Sequence, residues 1–384
     1  MFAGTYDFPL SKKDCGHYKI YFIEGKTMNY TMENKVDGMK RAPLRVVALR
    51  DRDAASLARS ASGGAFPLLA RPVLEDSGVV FGSELLGDGV VRHAMIDSID
   101  ALPRLQGSKY VLSDVAGTFL QCLESLRRGR SVLYSGTPCQ IYALRSYMAS
   151  KGYDETGLDN LYTVDLVCHG VTNPMLFRLY ISWLENRVGA VPGSLHYEFR
   201  SKRCGWGLFY YYFYKAKSDG KTYDSFGSCD EDPYYAAFLE GRLYRTPCYS
   251  CCFACSERVG DFTIGDYWGI ESAHPKFDSK DGVSLLLINS DKGMKFFSER
   301  CESECDLVES TIELASRENH NLTSPTCRKE GDVEFSKMVF DAVRDGDSDL
   351  LFGSMLKRPF SLKRTVRKIF PKSVILAVKK FLRH

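Results

Sequence analysis

No stretch of the chain is both long and apolar enough to cross a bilayer. Met1 to Cys15 contains no apolar core of signal-peptide length. Internal repeats and low-complexity tracts are also missing. These absences point to the cytoplasm, where thiols stay reduced. Lys357 to His384 has no acidic residue but ten Lys and Arg, and subtracting those ten from the chain's +3 leaves about −7 for the remainder. Nothing in that remainder points to nucleic acid as a partner. The 384 residues suffice for two domains or one large one. With 23 Phe, 22 Tyr and 3 Trp, the chain has material for a substantial core and a stacking pocket.

Cysteine is plentiful, with 13 in a chain far too long to be a disulfide mini-scaffold. Four of them fall within Pro247-Cys248-Tyr249-Ser250-Cys251-Cys252-Phe253-Ala254-Cys255. Thiols this dense in a reducing compartment hold a metal or a cluster. Cys251 and Cys252 are adjacent, so their side chains leave the backbone in different directions. Two or three of the four therefore serve one centre, and the rest of its shell comes from elsewhere.

Two candidate donors stand at the ends of strands. Ser131 to Ser135 reads as a buried strand, followed by Gly136-Thr137-Pro138-Cys139-Gln140 and a helix from Ile141 to about Ser150. Leu161 to Val167 repeats the pattern, ending in Cys168-His169-Gly170 before an Asn173-Pro174 helix start. A helix N-terminus stabilises a thiolate, and open α/β sheets hold ligands at the carboxyl ends of their strands. Either cysteine taken singly reads as a buried structural thiol. The pair together with the downstream cluster reads as ligands, with His169 orienting the neighbouring loop.

Other segments offer anion sites. Ser60-Ala61-Ser62-Gly63-Gly64 opens a helical pattern through Ala65, Leu68, Leu69 and Val73, which suits a phosphate or a plain N-cap. Lys109, in the polar turn Gly107-Ser108-Lys109-Tyr110-Val111, meets a phosphate or is a surface lysine. Arg200-Ser201-Lys202-Arg203-Cys204-Gly205-Trp206-Gly207 is a basic hairpin turn or an anion-binding loop with a stacking Trp206. The tail from Arg358 to His384 forms a basic amphipathic helix, for an anionic membrane surface, an acidic partner or the protein's own body.

The expected fold is α/β with α+β elements: a mixed sheet with helices on both faces, an antiparallel β-rich C-terminal half and a C-terminal amphipathic helix. The expected divisions are a short segment 1–43, an α/β domain 44–190 and a β-rich domain 191–300 with the cysteine cluster. A helical region 301–356 and the basic tail 357–384 follow. From Asp306 onward the pattern is read as helical.

A zinc knuckle takes two Cys-x2-Cys pairs close together, and here the second pair is missing. Cys139, Cys168, Cys248 and Cys251, with Cys255 in reserve, make a four-thiolate shell that suits a buried cubane cluster better. The ordered set Ser62-Gly63-Gly64, Gly107 to Val111, Ser135 to Gln140, Asp165 to Gly170, Lys202 to Gly207 and Ile264-Gly265-Asp266-Tyr267-Trp268-Gly269 resembles the beta-subunit family of coenzyme F420 hydrogenases and dehydrogenases over roughly residues 44 to 300. The resemblance implies an iron–sulfur flavoprotein oxidoreductase. It would pass electrons between a 4Fe-4S cluster, FAD and an organic acceptor or donor, of the F420 type or another, and some relatives are associated with surface polysaccharide synthesis. By that resemblance Ser62, Gly63 and Gly64 hold FAD phosphate, Lys109 and Arg203 neutralise anionic cofactor or substrate, and Thr137, Gln140 and Trp268 line the flavin ring. Many relatives begin with a ferredoxin-like module, whereas the first 43 residues here contain only Cys15. A separate donor such as a ferredoxin is therefore expected, with a small-molecule redox substrate. The competing expectation is a non-catalytic cluster- or zinc-bearing accessory of a membrane-associated polysaccharide assembly, bound at the inner face of the membrane by its tail.

Overall fold

The computed structural model describes Val36 and residues 38–153, 158–329 and 331–356. The strand expected at Tyr18 to Ile23, Cys15 and the basic tail lie outside the described residues.

Eight strands form one mixed sheet. They are β1 (Arg45–Asp51), β2 (Val79–Leu85), β3 (Val91–Ile96), β4 (Val132–Ser135), β5 (Leu161–Leu166), β9 (Phe262–Asp266), β10 (Ser284–Ile288) and β11 (Cys305–Glu309). Their order across the sheet is β11-β1-β10-β9-β5-β4-β2-β3. β2, β4, β5 and β9 pair in parallel, while β10 runs antiparallel to both β9 and β1. Five strands, β1, β2, β4, β5 and β9, thus end at the same edge. Alternation along the strands feeds two cores. Val47, Leu49, Val80, Leu133 and Val164 face helices Ala65–Glu75 and Asp291–Arg300. On the other side Val79, Phe81, Val132 and Tyr134 meet helices Thr118–Arg127 and Pro138–Ser150. The mixed sheet with helices on both faces is as the sequence implies.

A second, antiparallel sheet holds β6 (His196–Phe199), β7 (Phe209–Lys215) and β8 (Thr222–Ser228). Tyr197 and Phe199 share a core with Phe177, Tyr180 and Leu184 of helix Pro174–Val188 and with Tyr234, Tyr235 and Phe238 of helix Pro233–Leu239. Buried Asp232 accepts hydrogen bonds from the hydroxyls of Tyr180 and Tyr197 and caps the second helix through the Tyr235 amide.

Two local readings change. The stretch from Asp306 is not helical at its start: Cys305–Glu309 is an edge strand paired with β1. Its composition, CDLVE, carries two acids because only one of its edges is paired. β8 escaped notice because it is largely exposed and polar, a poor match to apolar alternation. Gly107 to Val111 is the turn expected, and its Ser108 makes an isolated bridge to Phe199. The large sheet also draws strands from both sides of residue 191, so that position does not separate two sheets.

One fully buried ion pair fastens the cysteine loop to the sheet. Arg258 and Asp165, with side chains 1% and 0% exposed, meet at 2.8 Å. Arg258 also donates to the carbonyls of Phe253, Cys255 and Leu166. Asp165 accepts the Gly260 amide with its other oxygen. Removing one partner of such a pair strands the other charge away from water. Arg258→Met is therefore expected to lower the unfolding free energy by about 3–5 kcal/mol, read as a shifted midpoint in urea denaturation. An unchanged midpoint would refute the role given to this pair.

Candidate functional site

The carboxyl edge of the parallel strands collects the chemistry. β4 ends at Ser135, and the chain enters helix Pro138–Ser150 behind its N-cap Thr137. Gln140 closes a capping box by accepting the Thr137 amide at 3.0 Å. Cys139, one residue into that helix, is exposed, with its thiol 3.1 Å from the Thr137 hydroxyl. β5 ends at Leu166, which places Cys168 beyond the same edge.

The third part arrives from the loop. Arg245 donates its amide to the Val171 carbonyl at 2.9 Å, tying the Thr246–Ser250 turn to the Cys168 side. The ring of Phe253 meets that of Tyr142 at 5.6 Å, so the loop also rests on the helix that carries Cys139. Cys248 and Cys251 are half-buried. Burial pushes the Cys168 thiol well up, and Cys139, Cys248 and Cys251 push it further the same way. Burial likewise pushes Cys251 up to about 11, with Cys139, Cys252 and Cys248 adding to it. The structure thus brings Cys139, Cys168, Cys248 and Cys251 within electrostatic reach of one another. Cys255 instead directs its thiol to the carbonyls of Cys252 and Glu257, and Cys252 is exposed. No disulfide joins any of the twelve described cysteines. Among the described residues, no three of His, Cys, Asp or Glu converge tightly enough for a single metal ion.

The second feature is a cleft of about 840 Å³ between residues 54–61, the turn 103–109 and strand β6 with its following loop. Lys109 and Arg203 both line it, as do Lys202 and Arg200. Lys109 donates to the carbonyls of Leu105 and Gln106 at 3.0 and 2.7 Å. Lys202 donates to those of Leu57 and Ser62 at 2.7 and 2.6 Å. Neither of these contacts is with a carboxylate. Burial pushes Lys109 down to about 7 against the pull of Glu84, and Lys202 down to about 8 against that of Asp281. His196 and Phe213 stack at 4.6 Å along one wall, and Arg203 lies 3.7 Å over the ring of Tyr211.

Several expected cofactor residues have internal roles. Ser62 donates to the Val283 carbonyl at 2.6 Å. A Cβ on Gly63 would lie 2.3 Å from the Leu49 carbonyl oxygen, so this glycine lets the chain touch β1. Gly64, at φ 87°, caps helix Ala65–Glu75. Gln140 is buried, donating to the carbonyl and hydroxyl of Ser113. Trp268 stacks on Trp206 at 5.0 Å and lies under the Arg200 guanidinium. Thr137, Gln140 and Trp268 do not line the cleft. His169 is exposed, with its carbonyl accepting from Thr326.

Sequence reasoning overlooked Arg258 and His93, and took Arg200 only as part of a basic loop. Arg200 holds φ 60°, a costly backbone for a non-glycine residue, and makes a two-point ion pair with Asp266. Burial works to raise the Asp266 carboxyl, and the Arg200 guanidinium overcomes it and holds it low. A lone acid inside an apolar strand, as at Asp165, was the available signal that a buried cation must exist. A smaller cavity of about 450 Å³, lined by Arg41, Arg145, Lys292 and Asp261, opens at the opposite edge, where β5 and β9 begin.

The thiol group and the cationic cleft thus lie at one edge of the sheet. Residues 129–312 match the family described as the C terminus of the coenzyme F420 hydrogenase/dehydrogenase beta subunit, and over that segment the chain is similar to these oxidoreductase proteins. No curated protein matches the chain. A solved chain from the F420-reducing [NiFe] hydrogenase complex of Methanosarcina barkeri is similar at 16% identity, over 80% of this chain and 92% of that one, with a TM-score of 0.47.

A neutral histidine braces the site. The Ser135 carbonyl can only accept, so His93 Nε2–H donates to it at 2.8 Å and Nδ1 accepts from the Ser113 hydroxyl. Burial pushes its imidazole down to about 4. An unfolded histidine takes up its proton near pH 6.5. The stabilisation is thus complete above about 6.5 and is lost as pH falls towards 4. His93→Phe is expected to flatten unfolding free energy against pH between about 6.5 and 5. An unchanged slope would contradict the buried neutral state.

Proposed function

We propose that this chain is an iron–sulfur flavoprotein oxidoreductase. Cys139, Cys168, Cys248 and Cys251 would hold a 4Fe-4S cluster, and the cationic cleft would take the anionic part of FAD. What carries this reading is the meeting of four free thiols from three separate parts of the chain at one sheet edge. The beta-subunit match over residues 129–312 spans all four of them. When bound, the cluster supplies one-electron steps and the flavin two-electron exchange with an organic acceptor or donor.

The protein's part is binding and tuning. Lys109, Lys202 and Arg203 supply positive charge to phosphate, while His196 and Phe213 offer a stacking wall for a ring. Helix Pro138–Ser150 carries Cys139 in its first turn, so its positive end would face the negative charge of a bound cluster. Arg258 fixes the loop that carries Cys248 and Cys251. The electron donor would be a separate protein such as a ferredoxin, and the setting cytoplasmic, with peripheral membrane contact through the tail. Among the described residues no helix is long and apolar enough to span a membrane. The internal hydrogen bonds of Ser62 and Gln140 favour a second reading, in which the cluster is kept as structure in a polysaccharide-assembly accessory and the flavin is lost.

Anaerobic purification followed by a visible spectrum and metal analysis tests both readings. Flavin bands with about four irons per chain support the first. Iron without flavin supports the second, and a colourless zinc protein sinks both. The paired substitution Cys248→Ser with Cys251→Ser is expected to remove the cluster absorbance, and its full retention would overturn the ligand set. An anion favours the charged lysines, which lose their protons above about 7 and 8. Flavin retention should therefore weaken as pH rises through that window, and Lys109→Met should show a smaller change. A pH-independent affinity would exclude these lysines from phosphate binding.

A further inference from the structure

The thiol group is not sealed. Cys139 and Cys252 are exposed, and so are Arg245, Thr246 and Pro247 on the turn that presents Cys248. Cations surround this opening. Arg245 acts electrostatically on Cys248 and Lys40 on Cys252, from two sides of the group. Arg328 lies 4.5 Å over the ring of Tyr249 and donates to the Thr246 hydroxyl at 3.3 Å. Lys329 next to it donates to the Glu240 carbonyl at 3.4 Å. Arg245, Arg328 and Lys329 are exposed, and the nearby acids are Glu240, Glu257 and the buried Asp332, which accepts the Lys329 amide at 2.6 Å. The rim is therefore positive on a chain whose first 356 residues sum to about −7. The cleft that suits a small molecule has a different lining.

We infer that this cationic rim is a docking surface for a small acidic one-electron carrier protein, of the ferredoxin class, which reduces or oxidises the cluster behind it. The inference rests on the cluster reading above. An electron passes from the reduced carrier to the cluster, so the carrier is oxidised by one electron as the cluster is reduced by one. No bond forms or breaks and no proton is required. Approach of the carrier to the exposed thiols is sufficient, and complementary charge supplies it by steering the encounter.

The test is binding, which needs no turnover. The full chain, purified anaerobically, is titrated calorimetrically with an oxidised acidic [2Fe-2S] ferredoxin at low and moderate salt. The expected result is an affinity that falls about tenfold as ionic strength rises, because screening removes surface attraction. Arg245→Glu with Lys329→Glu should weaken binding at low salt by about tenfold or more, with iron content and thermal midpoint unchanged. Binding that ignores both salt and charge reversal, or no binding at all, overturns the surface. Charge-dependent binding to phosphatidylglycerol vesicles, lost in the same variant while ferredoxin does not bind, overturns it in favour of a membrane contact. Failure of the cluster reading shows separately, as a protein without iron.

Discussion

The buried pair of Arg258 and Asp165 is the constraint on which the thiol site depends. Its two charges have no water, and the guanidinium fills its remaining donors with carbonyls from the loop and from β5. Desolvating two ions is expensive, and only a full set of hydrogen bonds makes the arrangement tolerable. That requirement is why the segment from Phe253 to Gly260 has one conformation against the sheet. Asp165 lies three residues before Cys168, so a single interaction sets the cysteine loop in register with a strand-end cysteine. A hydrophobic contact of equal size would hold the loop near the sheet without fixing its register.

The cleft follows a different rule. Its lysines are held by backbone carbonyls, which are dipoles and leave the ammonium charge uncancelled. Burial then makes that charge costly, which is why both lysines titrate near neutrality. Arg200 is the opposite case, since Asp266 neutralises it and also accepts from the indole of Trp206, which stacks on Trp268. Adjacent cations in one loop, Arg200, Lys202 and Arg203, thus divide into one paired with a carboxylate and two held by backbone carbonyls or a tyrosine ring. Sequence alone does not show this division, because it depends on where a distant carboxylate sits.

Legibility varied with the kind of signal. The two strand–cysteine–helix units were readable because apolar runs, a terminal turn and a first-turn proline are local properties. Edge strands β8 and β11 were not readable: one is polar on both faces and the other carries acids, since neither must bury both sides. Ser62-Gly63-Gly64 looked like a phosphate loop, yet its glycine at 63 answers to the closeness of β1 and β10, a contact more than two hundred residues away in sequence. Gln140 was expected beside a flavin ring, whereas its amide closes a capping box and braces Ser113. His93 and Arg258 left no pattern, because their significance lies in burial.

The placement of β1 has a consequence for how the chain is made. β1 is the first strand described, yet its neighbours are β10 on one side, where Arg45 faces Ile288, and β11 on the other, where Asp51 faces Cys305. Synthesis proceeds at roughly 5–20 residues per second, so β1 emerges about ten to fifty seconds before either partner exists. During that interval Val46 to Leu49 are an apolar segment with both edges open. The nascent chain is therefore exposed to misassociation and suited to holding by a chaperone, until the last third of the protein has left the ribosome.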